Sequence, residues 1–596
     1  MPQRPVRIAN FSGALGDYVG AFAEVVHGES IDVAIGDYLA EMTMGRVAEG
    51  FCAASNPAGI SDYFVPVFLR QLNPELATIA ERKIKVVVNA GAFHPARLAE
   101  AITLEIAEQG LNLKVAHIVG DDILPELDAF RAKGQLQNLD TGRPIGALGD
   151  RIMAANAYLG GWGIAAALGE EADIVICGRV SDASLVLGPA AWWHGWSMDD
   201  WDRLAGAVAA GHIIECGPQA VGGNFSGFAE LGSPARLGFP IAEIADDGSS
   251  IITKRAGDGG AVTVDTVTAQ LLYEIQGPRY LNPDVVLHID SVRVTQEGPD
   301  RVLIDEVKGS AAPLTTKVGC FYQNGWRTMF WGFATGLEHQ AKVDWLRLQL
   351  QTIVDGLAID EFHFEPCGQP VPDPKSEAEA TVAIRIAAAA QNRSDLNKLL
   401  GGFSSFGLGG IPGFHGDAAG APQPRVAYWP GLVSQSALRH RVIMDDGRTV
   451  DVQMPPTRAF VAPLIPTPAG DTSSTTGARI DVALGDLIHA RSGDKGANAN
   501  LGIWCRNPNS WDWLRASLDT ETLTSLMGLR QDVTVERHEL PNVNGLLFVL
   551  KGYFGESGTG NIGLDQIGKA AGEFLRARIV SVPADLLTGN PKADAA

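Results

Sequence analysis

One stretch of the 596-residue sequence, Gly211–Gln219, carries a histidine, a carboxylate and a thiol in close succession. His212 and Glu215 are residue types that donate and accept protons when their pKa values are tuned. Cys216 becomes a nucleophile if its thiol is acidified, and Asp182, His212 and Glu215 would together make a set of metal ligands. A structural histidine and an inert, buried cysteine are the alternatives. We take His212, Glu215 and Asp182 as candidate catalytic residues and leave the metal open.

A second stretch concentrates positive charge and glycine in an otherwise acidic chain. Within His489–Gly496, the sequence places Arg491, Ser492 and Lys495 close together. Arginine and lysine bind carboxylates or phosphates, and glycine amides complete such an anion site. Local pairing of these cations with Asp494 is the alternative. We predict that Arg491, Ser492 and Lys495 bind an anionic part of a substrate.

Polar residues follow the apolar runs in the first 190 or so residues, where strand-like runs alternate with helical patterns. The runs are Val6–Phe11, Ile31–Ile35, Ile84–Val88, Leu113–Val119 and Ile174–Cys177. This alternation indicates βαβ units and a parallel sheet, whose ligands bind beyond the carboxyl ends of the strands. The same residue types also end strands and cap helices. The binding candidates chosen here or near the catalytic stretch are Gly13, Asp37, Asn89, Arg179, Gln219 and Asn224.

The chain divides into two predicted domains. Residues 1–462 are expected to form a large α/β main domain with a Rossmann-like parallel sheet and an α+β elaboration. A segment rich in proline, serine, threonine and glycine at 463–478 is the predicted linker. Residues 479–587 then show the strand and helix patterns of a small two-layer α/β sandwich.

Charge and composition exclude several classes of protein. The net charge of −22 and the pI of about 5.0 disfavour binding to nucleic acid. The six cysteines are spaced too irregularly for a zinc ribbon or a disulfide framework. Because no apolar window reaches about 18 residues and no signal-peptide pattern is present, we expect a cytoplasmic protein without membrane contact. A large acidic enzyme of this kind is expected to be a homo-oligomer, a dimer or higher.

Two glycine patterns could hold phosphate. Gly558, Gly560 and Gly563 form a G-x-G-x-x-G between an apolar strand and a predicted helix, Leu564–Arg576. Too little chain follows for a doubly wound sheet, so a phosphate at the start of that helix is preferred to a dinucleotide. The glycines of Gly13–Gly20 are a weaker pattern and keep a nucleotide-dependent enzyme as a further hypothesis.

Four motifs together resemble the acyclic terpene utilisation (AtuA-like) family. They are Gly36–Met44, Gly178–Asp182, Gly211–Gln219 and His489–Gly496, in this order. The resemblance spans nearly the whole chain and implies that the C-terminal sandwich is the family's ferredoxin-like domain. The family is named for bacterial gene clusters that degrade citronellol and geraniol through acyl-CoA intermediates. It implies a pathway rather than a settled reaction.

The resemblance and the candidate residues together predict an enzyme of acyclic terpenoid or branched-chain acyl-CoA catabolism. We expect a lyase or hydratase acting on a carboxylated acyl-CoA or a hydroxy acid, because such chemistry needs an acid–base pair and an anion site. The expected ligand is a small anionic metabolite, an acyl-CoA. Coenzyme A would be part of the substrate, and no separate cofactor is identified. The alternative is a non-catalytic acyl-CoA-binding or assembly subunit of the same pathway.

Overall fold

A computed structural model describes residues 4–53, 60, 63–231, 235–417, 420–463 and 478–587. The predicted linker lies outside these residues, apart from Pro463 and Ala478 at its two ends. Among the described helices, none combines the length and the apolar character needed to cross a membrane.

An eleven-stranded sheet forms the centre of the main domain. Its middle five strands pair in parallel and lie where the sequence predicts strands. Strands from later in the chain extend both edges in antiparallel fashion, which makes the sheet mixed. In spatial order the strands are Arg293–Gly298, Arg301–Asp305, Ser250–Lys254, Pro240–Ile244, Val6–Ser12, Val33–Gly36, Lys85–Val88, Ile174–Ile176, Val115–Val119, Arg441–Met444 and Thr449–Asp451. The protein is therefore a mixed α/β protein.

Helices cover both faces of this sheet. In the strand Val6–Ser12, Val6 and Ile8 lie in one hydrophobic core, whereas Ala9 and Phe11 lie in the other. Because both faces are buried, these strands read as apolar runs rather than as alternating patterns. The helices of this region are Ala21–His27, Glu41–Ala53, Pro66–Leu72, Leu76–Arg82, Pro95–Glu108, Leu127–Ala132, Trp162–Gly169, Ser184–His194, Trp201–Ile214 and Val264–Leu271.

A second sheet is built on one 21-residue strand, Thr315–Thr335. The first part of this strand pairs with Gln423–Ser434 and Ile152–Ala157, and the second part pairs with Thr381–Ala390. Phe321 from this sheet packs in the same core as the central sheet. The remaining elements are the strands Glu361–Cys367 and His415–Gly416, the helices His339–Val354, Arg393–Ser404 and Phe406–Gly409, and a small sheet of Thr457–Arg458, Lys308–Pro313, Val285–His288 and Arg279–Leu281.

The C-terminal domain is an antiparallel α+β sandwich with its own core. Its strands, in spatial order, are Ile488–Lys495, Asn498–Cys505, Gly545–Lys551 and Thr534–Leu540, with Arg479–Ala483 and Ile579–Pro583 as a separate pair. Its helices are Trp511–Ser517, Thr520–Met527 and Ala571–Arg576.

The C-terminal domain is embedded in the main domain. Trp504 and Leu547 belong to the same hydrophobic core as one face of the central sheet. Trp504 Nε1 donates to Asp265 Oδ1 at 2.9 Å, and Asn500 Nδ2 donates to the Leu272 carbonyl at 2.7 Å. Apolar and polar contacts thus hold the strands of the two domains in a fixed relation.

Gly211 lets the helix Trp201–Ile214 approach the loop that carries Asp182. A Cβ on Gly211 would lie 2.8 Å from the carbonyl oxygen and 2.9 Å from the Cα of Ala183. Because these are backbone atoms in a packed interior, a larger residue cannot be accommodated without movement. The glycine therefore sets the spacing between Asp182 and the next helical residue, His212.

We expect Gly211→Ala to lower the free energy of unfolding by about 1–3 kcal/mol, because the methyl group overlaps backbone atoms. Gly169→Ala is the matched control, since it also lies in a helix and no described atom comes within 4 Å of the added Cβ. That change should leave stability unchanged or raise it by about 0.5–1 kcal/mol. Urea unfolding measures both, and equal effects would contradict this account of the helix contact.

Candidate functional site

Three adjacent parallel strands deliver polar side chains to one place. Asp37, Asn89 and Arg179 each follow one of these strands. The Asn89 amide donates to Asp37 Oδ1 at 2.6 Å, and the Asn89 oxygen accepts the N–H of Tyr38 at 2.7 Å. Arg179 Nη1 donates to the Leu39 carbonyl at 2.6 Å. The three binding candidates therefore meet at the carboxyl edge of the sheet.

Two buried carboxyl groups and one partly buried carboxyl group face one another beside Arg179. Asp37, Asp182 and Glu215 each offer an oxygen, and these oxygens lie within 4.8 Å of one another. Arg179 Nη1 pairs with Asp182 Oδ1 at 2.8 Å. Burial raises the pKa of both Asp37 and Glu215 well above the usual range, and the charge of Asp182 raises both further. These surroundings therefore favour the protonated form of both Asp37 and Glu215.

The same oxygens are the best candidates for holding a divalent cation. Carboxylate oxygens suit magnesium or manganese, and an imidazole nitrogen would suit zinc or iron better. His212 Nδ1 lies 3.5 Å from Glu215 Oε1 and could add such a nitrogen ligand. Arg179 already balances the charge of Asp182. Protons on Asp37 and Glu215 would therefore leave the three carboxyl groups electrically balanced without a metal ion.

His212 stands beside Glu215 as a neutral base. It lies in the last turn of its helix and packs on the ring of Tyr280, with ring centroids 4.8 Å apart. Burial lowers the pKa of His212 to about 4, and the positive charge of Lys495 acts in the same direction. An imidazole that is uncharged at neutral pH therefore faces a carboxyl group whose burial favours its protonated form.

The C-terminal domain supplies part of this site. The Lys495 ammonium lies 3.7 Å from Glu274 Oε2, and its charge opposes the rise in the pKa of Glu215 that burial causes. The N–H of Gly496 donates to Glu41 Oε2 at 3.2 Å. The predicted catalytic stretch and the predicted anion-binding stretch therefore lie together, at the boundary between the two domains.

Glu41 is a site residue that the sequence analysis missed. It accepts hydrogen bonds from the Lys317 ammonium and, at 3.2 Å, from the Tyr158 hydroxyl. Burial alone would raise the pKa of Glu41, but the charges of Lys317 and Lys495 outweigh it and lower the pKa to about 2. The place of Glu41 just beyond the second strand was a usable signal. Lys317 and Tyr158 come from the second sheet and carry no such signal.

Cys216 and Gln219 lie where the two domains meet. Arg491 Nη2 donates to Gln219 Oε1 across the boundary. Burial raises the pKa of the Cys216 thiol well above its usual range, and the charges of Glu215 and Glu274 raise it further. A thiolate is therefore disfavoured, and this environment gives no support to a nucleophilic cysteine.

The remaining binding candidates have different surroundings. Gly13 packs on the backbone of Cys216, where an added Cβ would lie 2.5 Å from the carbonyl carbon. Ser492 accepts the N–H of Gly572 at 2.9 Å, so it is turned into the C-terminal domain. Asn224 is exposed at a left-handed position with φ of 56°. In the described part of the chain, neither Ser492 nor Asn224 bonds to the three carboxyl groups.

The G-x-G-x-x-G stretch serves packing between the domains. Arg425 Nε donates to the carbonyl of Gly560 and Arg385 Nη2 to the carbonyl of Ile562, both at 2.6 Å. The helix predicted to start at Leu564 begins instead at Ala571. A phosphate at the helix start would therefore not lie beside the glycines, because the intervening residues form turns rather than helix.

Comparison with known families identifies the relatives of this chain. Residues 6–444 match the profile of the acyclic terpene utilisation family protein AtuA. The chain belongs to this family. Residues 482–581 match the AtuA ferredoxin-like domain. None of the curated proteins compared with the chain matches it. The AtuA family is associated with acyclic terpene utilisation, and the carboxyl cluster lies where its two matched regions meet in this chain.

Arg179 is the direct counter-charge of the carboxyl cluster, so its loss should be costly. We expect Arg179→Met to lower the free energy of unfolding by about 3–5 kcal/mol at neutral pH, because the largely buried Asp182 is left unpaired. In the double variant Arg179→Met/Asp182→Asn, part of this loss should return because the uncompensated carboxylate is gone. Urea unfolding of the single and double variants measures the coupling.

Arg293→Met is the control for this cycle, because the Arg293 pair with Asp305 is on the surface and the arginine is more than half exposed. Its effect should stay below about 1 kcal/mol. If Arg179→Met were no more harmful than Arg293→Met, Arg179 would not be the counter-charge on which the cluster depends.

Proposed function

We propose that this AtuA-family chain is a lyase or hydratase that removes or adds water on a carboxylated acyl-CoA or a hydroxy acid of acyclic terpenoid or branched-chain acyl-CoA catabolism. The observation that carries the proposal is the placement of His212 Nδ1 3.5 Å from Glu215 Oε1, where burial lowers the pKa of the imidazole to about 4 and raises the pKa of the carboxyl group. Two titratable groups with pKa values pushed apart are typical of acid–base sites. If the five parallel strands form a Rossmann-like sheet, the carboxyl ends of the strands are where a ligand site is expected.

The proposed hydration needs one proton acceptor and one proton donor. His212 would take a proton from water as the water oxygen bonds to the β-carbon of an unsaturated acyl chain. Glu215 would give its proton to the α-carbon. The proton on the imidazolium would then pass to the Glu215 carboxylate, which restores both groups. Dehydration is the reverse of these steps, and each acid–base role is of the kind that contributes about 10²–10⁴-fold in rate.

Neighbouring charges support these protonation states. The charge of Asp182 helps Glu215 to keep its proton, and Arg179 balances that charge. Lys495 discourages protonation of His212 before the reaction. Burying several titratable groups costs stability, so their presence supports catalysis over the alternative of a purely binding or assembly subunit.

We expect His212→Ala and Glu215→Gln each to reduce turnover by about 10²–10⁴-fold, because each removes one proton-transfer group. Glu536→Gln, on the surface of the C-terminal domain, is the matched control and should retain wild-type turnover. The measurement is the change in enoyl absorbance with a panel of unsaturated and 3-hydroxy acyl-CoA thioesters, with and without a second carboxylate. Thermal unfolding checks that the variants are folded.

Full activity in both site variants would remove this assignment. Binding of acyl-CoA by the wild-type chain without turnover of any thioester in the panel would instead favour the non-catalytic subunit.

A further inference from the structure

Two lysines of the C-terminal domain share one carboxylate of the main domain, and an arginine of the same domain stacks on the neighbouring tyrosine. The Lys495 ammonium lies 3.7 Å from Glu274 Oε2, and the Lys569 ammonium lies 4.0 Å from Glu274 Oε1. The Arg491 guanidinium stacks over the ring of Tyr273 at 4.1 Å. The proposed acid–base chemistry uses Lys495 only for its charge and leaves Lys569 and Arg491 without a role.

Two other cations of the site each have an ion-pair partner. Arg179 pairs with Asp182, and Lys317 pairs with Glu41. Near the three C-terminal cations, burial and the charge of Glu274 raise the pKa of Asp494 to about 8, so it adds little negative charge at neutral pH.

In this part of the site two ammonium groups, those of Lys495 and Lys569, therefore share the Glu274 carboxylate. Lys495 also interacts with the more distant charges of Glu41 and Asp182. Arg491 is almost fully buried, and its Nε has no hydrogen-bond partner among the described residues. A buried guanidinium N–H without a hydrogen-bond partner lowers stability, so a ligand that supplies an acceptor for Arg491 Nε would be stabilised there.

Both lysines remain reachable. The Lys495 side chain is 20% exposed and that of Lys569 is 27% exposed. Lys569 also donates to the Tyr273 hydroxyl. Burial and the charge of Arg491 lower the pKa of Lys569, and a bound anion would offset both effects because it favours the charged ammonium.

We propose that Lys495 and Lys569 bind a free carboxylate on the acyl part of the substrate, so that the chain selects acyl groups carrying a second acid. Lys495 and Lys569 lie at similar distances from Glu274. A ligand carboxylate fits between them because each of its two oxygens can accept a hydrogen bond from one ammonium group. The inference rests on the proposed function for the location of the substrate, but anion binding can be measured without turnover.

The test is calorimetric titration of the whole chain with glutarate, with its neutral diamide glutaramide, and with inorganic phosphate. We expect glutarate to bind and glutaramide not to bind. Lys495→Met and Lys569→Met should each weaken glutarate at least about tenfold, the effect of losing one charge-assisted hydrogen bond. Lys308→Met, at an exposed ion pair with Asp202, should leave the dissociation constant unchanged.

Unchanged glutarate affinity in both site-lysine variants would overturn the proposal. Phosphate binding as tight as glutarate would also overturn it, because the site would then suit a phosphate of coenzyme A rather than an acyl carboxylate.

A second measurement needs no variant and so does not depend on the folding of one. Glutarate should slow the labelling of Lys495 and Lys569 by an amine-reactive acylating reagent in the wild-type chain, and should leave Lys308 labelled as before. Equal labelling with and without glutarate would contradict the proposal. Glu215→Gln should still bind glutarate, so failure of the acid–base assignment and failure of this inference give different results.

Discussion

The burial of Asp37, Asp182 and Glu215 depends on positive charge that arrives from two directions. Arg179 pairs with Asp182 within the loop that follows the strand Ile174–Ile176, and Lys495 approaches from the C-terminal domain. Removing a carboxylate from water costs several kcal/mol unless a cation or a proton balances it. The site therefore needs both domains in place, and this explains why residues of the C-terminal strands share a hydrophobic core with the central sheet.

The same arrangement separates the protonation states of groups that would otherwise titrate together. The pKa of Glu41, beside Lys317, is lowered to about 2, whereas burial and Asp182 raise the pKa of Glu215. Burial thus favours protonated carboxyl groups in one part of the site, whereas the part next to the C-terminal strands places Lys495 and Lys569 beside a single carboxylate, that of Glu274. In a region largely shielded from solvent, such a difference in charge between the two parts of the site acts strongly on a charged ligand, because the effective dielectric constant is low.

Close backbone contacts fix this geometry. Gly211 allows its helix to touch the backbone of Ala183, and Gly13 lies against the backbone of Cys216. A side chain at either position would separate the elements that carry His212 and Asp182, or move the segment that follows Glu215. These two glycines therefore serve packing, and this role does not depend on a bound phosphate.

The sequence by itself determined the five parallel strands and the polar residues that follow them, because apolar runs and the residues that end them are local signals. It also singled out the two stretches that the structure brings together, through the unusual density of titratable groups in one and of cations in the other. Tertiary structure alone decided that Lys317, Tyr158 and Glu274 join the site. It also decided that Ser492 turns into its own domain. These placements depend on contacts between segments far apart in the chain, such as Gly496 with Glu41, and no local pattern specifies which distant partner a buried charge will find.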